Sequence, residues 1–315
     1  MLAQRFDLET YPPFAGLPAE TVTLGHADDH LRVHLRGQFD GARLPIVCIP
    51  GYFRNMSDFA SFADLAARTI HNDWPMVLPD LKGRGRSPYR ARSEDYSTVS
   101  DATDIALLMD ALAIERAVFL GQGHGGHVAM NLGINHHRFL AGLILLDSGP
   151  TQDAAGLTRV RDNYLRIAQT RGKHEFETLS REISARSYPG ATETELDALV
   201  ARTHTMLRRR AKTLFDQKLL QKLEDVRLDD VFEAQWPLMS ALHDVPLMLM
   251  RTQLTDQLQR TTYEHMSEIR PDARTFTIAG QGSPALLAEP DCVSAIMDFV
   301  QTCNQTAGPN PIVAG

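Results

Sequence analysis

The densest group of residues able to do chemistry lies between residues 119 and 127, where glycines alternate with polar side chains. The segment reads Phe-Leu-Gly-Gln-Gly-His-Gly-Gly-His and follows an apolar run. A glycine-rich turn that opens a helix exposes backbone N–H groups, which stabilise negative charge developing on an oxygen. His124 can act there as a lone general base, or it can be a partly buried pocket residue with a satisfied hydrogen bond. We favour the second interpretation.

The same turn suggests two cofactor sites, neither of which we expect. His127 follows His124 at the i, i+3 spacing of metal ligands, but no carboxylate with suitable spacing lies nearby. The pattern Gly121-x-Gly123-x-x-Gly126 also fits a dinucleotide fingerprint, with Asp147 at the end of the next apolar run as the ribose-binding acid. That fingerprint normally opens its domain, whereas here other strands precede it. We therefore predict no cofactor and no metal, and keep dinucleotide binding as an alternative.

Short apolar runs alternate with amphipathic stretches, a pattern that positions such a turn at one edge of a mostly parallel sheet. The runs lack polar alternation, as strands buried on both faces should. The expected strands of this kind are 44–49, 75–79, 117–120, 140–146, 245–251 and 274–278, and upstream of them residues 21–24 and 31–35 are expected as an antiparallel pair that enters the sheet. The fold class is therefore α/β, with helices on both faces of a twisted sheet.

The alternation stops between residues 150 and 242, where only helical patterns are found, at 157–170, 174–187, 193–210 and 214–223. A helical insertion between two buried strands would form a cap over the strand ends. We expect residues 1–149 and 243–305 to form the core, residues 150–242 the cap, and residues 306–315 a loose tail.

Composition excludes several classes of partner. The chain has 315 residues, 43% of them hydrophobic and 23% charged, with a formal net charge of -7. That charge does not suit a nucleic-acid partner. Three widely spaced cysteines, with neither a signal-peptide run nor an apolar run of about 20 residues, predict a cytoplasmic protein that does not enter a membrane.

Five segments in order resemble landmarks of the α/β-hydrolase family, in its branch of capped esterases, haloperoxidase-like enzymes and carbon–carbon-bond hydrolases. Residues 49–55 (IPGYFRN) resemble the turn that supplies one oxyanion-hole N–H, and residues 78–87 (LPDLKGRGRS) resemble a family loop. Residues 119–126 occupy the nucleophile elbow, residues 250–256 (MRTQLTD) the acid loop, and residues 280–290 (GQGSPALLAEP) the histidine loop. The resemblance implies an α/β-hydrolase fold with an inserted helical cap.

At two of the three catalytic positions that this resemblance implies, the required side chain is missing. Gly123 stands at the nucleophile position and Ser283 at the histidine position, which leaves Asp256 as the remaining triad acid. The resemblance also places the oxyanion-hole donors at the backbones of Tyr52 and His124. Asp80 and Asp147, at strand ends, are alternative acids or bases.

Family resemblance alone implies a hydrolase, but nucleophile and general base are absent. We expect no acyl-enzyme. The first hypothesis is a pseudoenzyme that binds a small apolar or aromatic carbonyl or carboxylate ligand, with Phe53 beside the donor pair. The alternative is an unorthodox lyase, isomerase or hydrolase that uses the oxyanion hole and His124.

Overall fold

A computed structural model describes residues 7–69, 73–228 and 230–307, and its main sheet has eight strands. The order across the sheet is β1-β2-β4-β3-β5-β6-β9-β10. Strand β2 pairs antiparallel with β1 and β4, and all other neighbours run parallel. The strands are β1 (Glu20–Thr23), β2 (His30–Arg36), β3 (Ile46–Ile49), β4 (Met76–Asp80), β5 (Ala117–Gln122), β6 (Leu140–Leu146), β7 (His204–Leu207), β8 (Arg210–Thr213), β9 (Leu247–Thr252) and β10 (Arg274–Ile278).

Helices cover both faces of this sheet, which explains why the central strands have no polar alternation. Every residue of β3 to β6 is buried. One apolar layer packs the sheet against α1 and α10, and the other packs it against α2 and α3. The helices are α1 (Ala60–Thr69), α2 (Thr98–Ala111), α3 (His124–Asn135), α4 (Ala154–Gln169), α5 (Lys173–Ala185), α6 (Glu193–Ala201), α7 (Lys218–Gln221), α8 (Trp236–Ser240), α9 (Arg260–Ile269) and α10 (Pro290–Ala307). The predicted α/β class is confirmed.

Glycines between β5 and α3 let the helix approach the sheet at backbone distance. A Cβ on Gly125 would stand 2.0 Å from the carbonyl oxygen of Ile49, and one on Gly121 would stand 2.5 Å from the nitrogen of Gly126. No side chain fits in either place. Of the three glycines that resemble a dinucleotide fingerprint, Gly121 is therefore explained by helix–strand packing.

The segment between β6 and β9 is not all helical, and here the prediction of one helix over 193–210 was wrong. Helix α6 ends at Ala201, and β7 and β8 follow as an antiparallel hairpin. Threonines at 203 and 205 favour extended backbone. Arg208 and Arg209 form the two-residue turn with φ of 49° and 66°, so the chain reverses where the pattern predicted a continuous helix.

The prediction of a loose tail over 306–315 was wrong for its first two residues. Thr306 and Ala307 belong to α10, and residues 308–315 lie outside the described residues. No described helix is both long and apolar enough to cross a bilayer.

Candidate functional site

Gly123 lies at the turn between β5 and α3, as its sequence position predicted. Its backbone has φ 52° and ψ -115°, and its N–H donates to the carbonyl of Leu146 (2.8 Å). The space that a side chain on Gly123 would occupy is partly filled by the side chain of Gln257. Gln257 Oε1 lies 2.8 Å from where a Cβ on Gly123 would stand. The turn therefore has the sharp geometry of an elbow without a nucleophile.

Ser283 is held by an acid, but by Asp147 rather than the expected Asp256. The Ser283 hydroxyl donates to Asp147 Oδ2 and also lies 2.8 Å from Thr255 Oγ1. Asp147 accepts two further bonds from Thr252, from its N–H and its hydroxyl, at 2.7 Å each. Burial raises the pKa of Asp147, and these bonds offset the effect only in part. Asp147 is thus oriented as an acid partner would be, toward a residue that cannot be a base.

Asp256 faces the cap, which corrects the prediction that it is the remaining triad acid. Its carboxylate pairs with Arg159 of α4, with 2.8 Å between Oδ1 and a guanidinium nitrogen. The acid-loop motif places this residue four positions beyond β9, where the turn directs the side chain away from Ser283. From the sequence, Asp147 could be identified only as an acidic residue at the end of a strand, not as the partner of Ser283. Its backbone φ of 48° has no sequence signature.

Asp80, the other strand-end acid, holds a loop together. Its two oxygens accept the N–H groups of Met56 and Arg86, each at 2.8 Å. The side chain is fully buried, and burial raises its pKa to about 6.

The structure brings the two expected N–H donors to one cavity. Tyr52 and His124 both line it, and neither backbone N–H meets an acceptor within the described parts of the chain. His124 is the first residue of α3, so its N–H has no partner in the preceding turn. Backbone N–H groups without an acceptor are suited to a carbonyl oxygen or an oxyanion.

The His124 imidazole packs edge-on against Tyr52, with ring centroids 5.2 Å apart, and bonds to a residue that the sequence did not single out. Its Nε2 lies 2.9 Å from Asp101 Oδ2 on α2. Arg84 and Arg90 hold the same carboxylate at 3.2 and 2.9 Å. Burial would raise the pKa of Asp101, but the surrounding cations and the imidazole outweigh burial and hold that pKa below its usual range.

The cavity between core and cap has a volume of about 420 Å³. Most of its wall surface is apolar, although many polar side chains also line it, and Phe53 packs there against Tyr164 (5.2 Å between centroids). Asn163 of α4 also lines it, and this carboxamide is 7% exposed with no hydrogen bond to the described part of the protein. Asn163 sits in the cap, where sequence patterns identify helices but not inward-facing polar residues. An apolar cavity with a few directed polar groups is typical of a small-molecule site.

Neither cofactor site is assembled. His127 is bonded to the Gly149 carbonyl (2.9 Å) and to Gln152 (3.3 Å), and the described residues contain no cluster of metal-ligating side chains. The Asp147 oxygens are engaged by Thr252 and Ser283, so they do not offer a free carboxylate to a ribose. Dinucleotide binding therefore has no support in this geometry.

Comparison with known proteins agrees with the fold. The family model described as the alpha/beta hydrolase family matches residues 46–295. An alpha/beta hydrolase from Novosphingobium aromaticivorans has a crystal structure that superposes with a TM-score of 0.75 at 28% identity, covering 90% of this chain and 98% of that one.

Curated relatives match over shorter stretches. A 3-hydroxybutyrate-oligomer hydrolase from Cupriavidus necator is 30% identical over 36% of this chain and 38% of its own length. Lipase LipV from Mycobacterium tuberculosis is 33% identical over 29% of this chain and 34% of its own length. The chain thus spans less than two fifths of either relative, and their activities do not transfer to it directly.

Proposed function

Because this chain belongs to the alpha/beta hydrolase family, we propose that it binds a small carbonyl or carboxylate compound in the capped cavity without forming an acyl-enzyme. One observation carries the proposal. The two backbone N–H donors have no acceptor among the described residues, at a turn where Gly123 stands at the nucleophile position and Ser283 at the base position.

The energetic consequence of these two residues is large. Removing serine or histidine from a working triad costs on the order of 10⁶ in kcat, and losing both costs little more. The donors and the binding cavity alone would leave roughly 10³–10⁴ over water. The absence of the serine and histidine side chains therefore lowers turnover far more than it lowers ligand binding.

The test rebuilds the triad. Wild type and the Gly123→Ser/Ser283→His/Gln257→Ala variant are compared in hydrolysis of p-nitrophenyl butyrate and in labelling by a fluorophosphonate. Gln257 is truncated because its amide approaches the position of the new side chain. We expect background turnover and no adduct for wild type, and a stoichiometric adduct on the introduced serine of the variant.

A matched pair of acid variants identifies which carboxylate the rebuilt site uses. Asp147→Asn in the rebuilt background should abolish labelling, since Asp147 already bonds to position 283. Asp256→Asn should leave labelling intact, since that carboxylate pairs with Arg159. Saturable labelling of wild type itself would contradict the proposal.

The His124–Asp101 pair favours a second candidate, an enzyme in which His124 is a lone base on water beside the N–H donors. Ester turnover that persists in repurified wild type and disappears in His124→Gln would establish it. Turnover that is unaffected by this substitution would exclude it.

A further inference from the structure

The cap contributes to the cavity a polar side chain that has no partner among the described residues. Asn163 belongs to α4, lines the cavity and is only 7% exposed, yet its carboxamide makes no hydrogen bond to the described part of the protein. Neither Oδ1 nor Nδ2 of this residue is fully enclosed. The small surface that Asn163 leaves open therefore includes both polar atoms of its carboxamide.

The helical period of α4 places Asn163 on the face that lines the cavity. Val160 precedes it by three residues and Ile167 follows it by four, and both of these side chains line the cavity, as does Gly156 one turn further back. Residues at such spacings share one face of a helix. Asn163 therefore lies between two apolar residues on the helix face that covers the ligand space.

A carboxamide at this position is unfavourable for the protein unless a bound molecule pairs with it. A polar group that is buried without a hydrogen bond costs free energy, which an apolar residue in the same wall would avoid. The carboxamide is uncharged, with Nδ2 as a donor and Oδ1 as an acceptor. Arg159, one turn before it on α4, is already paired with Asp256. This helix face thus offers the cavity a neutral group that both donates and accepts.

We propose that the ligand carries a hydroxyl that bonds to the Asn163 carboxamide, in addition to the carbonyl or carboxylate oxygen that binds the backbone N–H groups of Tyr52 and His124. This proposal rests on the proposed function and narrows the ligand to a carbonyl or carboxylate compound with a second polar group.

The shared cavity is what allows one molecule to meet both groups. Tyr52 and His124 line it from the core, and Asn163 lines it from the cap. A hydroxyl is the smallest neutral group that donates and accepts at once, so it satisfies either atom of the carboxamide. A compound that is apolar beyond its carbonyl would leave the carboxamide unpaired when it fills the cavity.

The experiment uses pairs of probes that differ only in a hydroxyl. They are straight-chain methyl ketones and carboxylates of about seven to ten carbons, each with and without a hydroxyl on the last carbon, so that chain length samples the span from core to cap. Isothermal titration calorimetry measures their binding to wild type and to Asn163→Leu, which keeps the branched shape and removes both polar atoms. For at least one chain length, the affinity ratio of hydroxylated to plain probe should be about tenfold higher in wild type, because Asn163→Leu leaves the hydroxyl unpaired.

Two controls separate recognition from a structural role of Asn163. Ile167→Val, one turn along the same face, should change the affinities of both members of a pair while keeping their ratio. Asn163→Leu should not lower the free energy of unfolding in urea denaturation, since leucine favours a helix more than asparagine does and no hydrogen bond within the described protein is lost.

The outcomes distinguish this proposal from the proposed function. Equal ratios in wild type and Asn163→Leu at every chain length overturn this proposal alone, and so does a loss of stability in Asn163→Leu, which would show that the carboxamide serves the fold. If no probe of either kind binds wild type, the proposed function fails and this proposal fails with it.

Discussion

The backbone at residue 123 has a conformation in which a side chain is costly. Gly123 has φ 52°, and any Cβ there would approach Gln257 Oε1. We expect Gly123→Ala to lower the free energy of unfolding by about 2 kcal/mol, from left-handed strain together with this contact. Urea denaturation of Gly123→Ala, with and without Gln257→Ala, separates the contribution of backbone strain from that of the contact with Gln257.

Gly16 supplies the control for that measurement. Its φ is 79°, and no atom lies within 4 Å of a Cβ placed there, so Gly16→Ala carries strain without a contact. Gln257→Ala should recover only the contact part of the Gly123→Ala loss. If Gln257→Ala recovers the whole loss of unfolding free energy, the backbone at residue 123 relieves its strain once the Gln257 side chain is removed, and the elbow geometry depends on Gln257.

The sequence located some residues of the candidate site but could not predict the contacts of others. Gly123 follows β5 and Ser283 follows β10, which is where the motifs predict them along the chain. The partner of Asp256 was not predictable, since a motif gives a position along the chain and not the direction of a side chain. Asp101 lies on a neighbouring helix, and nothing in the sequence links it to His124.

At the scale of elements, the cap hairpin carries an unusual turn. Two-residue turns with φ above zero at both positions favour Asn-Gly, but β7 and β8 are joined by Arg208-Arg209. We expect Arg208→Asn/Arg209→Gly to raise the free energy of unfolding by about 1 kcal/mol. The Arg208→Ala/Arg209→Ala variant removes the same charges but keeps both Cβ atoms, and it should give no such gain in urea denaturation. A gain of equal size in both variants would assign the effect to charge repulsion.

Elements of the core were predictable to within a few residues, as were helices α4 and α5 of the cap, but the cap hairpin was not. Strand β6 begins and ends where its apolar run does, because a strand buried on both faces needs uninterrupted apolar sequence. The edge strand β10 also has its predicted bounds, but three of its five residues are exposed. The hairpin was missed because its turn has arginines where turn signals are expected, and Leu196, Leu199 and Val200 carry the helical period up to it. The hydrophobic pattern of a sequence predicts a helix or strand correctly only where the local conformational preference of its residues agrees with their tertiary contacts.

At the scale of the molecule, cap, core and N-terminal segment meet around a buried histidine. The His204 carbonyl accepts from the Tyr11 hydroxyl at 3.2 Å, and its ring packs against Tyr164 and Phe215. Its Nε2 is buried and has no hydrogen-bond partner among the described residues, and burial, with Arg54 adding to it, lowers the pKa of His204 to about 3. Between about pH 6.5 and about pH 3 the His204 ring is therefore neutral in the folded protein, whereas in the unfolded chain it is protonated below about pH 6.5.

The sign of the resulting pH dependence follows from this difference. Stability that His204 contributes is fully present above about pH 6.5 and is lost as the pH falls from there toward 3, by up to about 1.4 kcal/mol per pH unit. Asp80 acts in the opposite direction. Because burial raises the pKa of Asp80 to about 6, its contribution is present at low pH and is lost as the pH rises through 6. The net slope of the wild type therefore mixes both groups, and only a difference between variants isolates His204.

His204→Phe makes that difference measurable, since a phenyl ring suits the aromatic surroundings and does not titrate. Between about pH 7 and about pH 5, the wild type should lose about 2 kcal/mol more free energy of unfolding than His204→Phe, as urea denaturation at both pH values would show. His174→Gln, on the exposed surface of α5, controls for removing an imidazole from the surface. If wild type and His204→Phe lose equal stability, the native ring is protonated as readily as the unfolded one, and the junction of cap and core opens to water at His204.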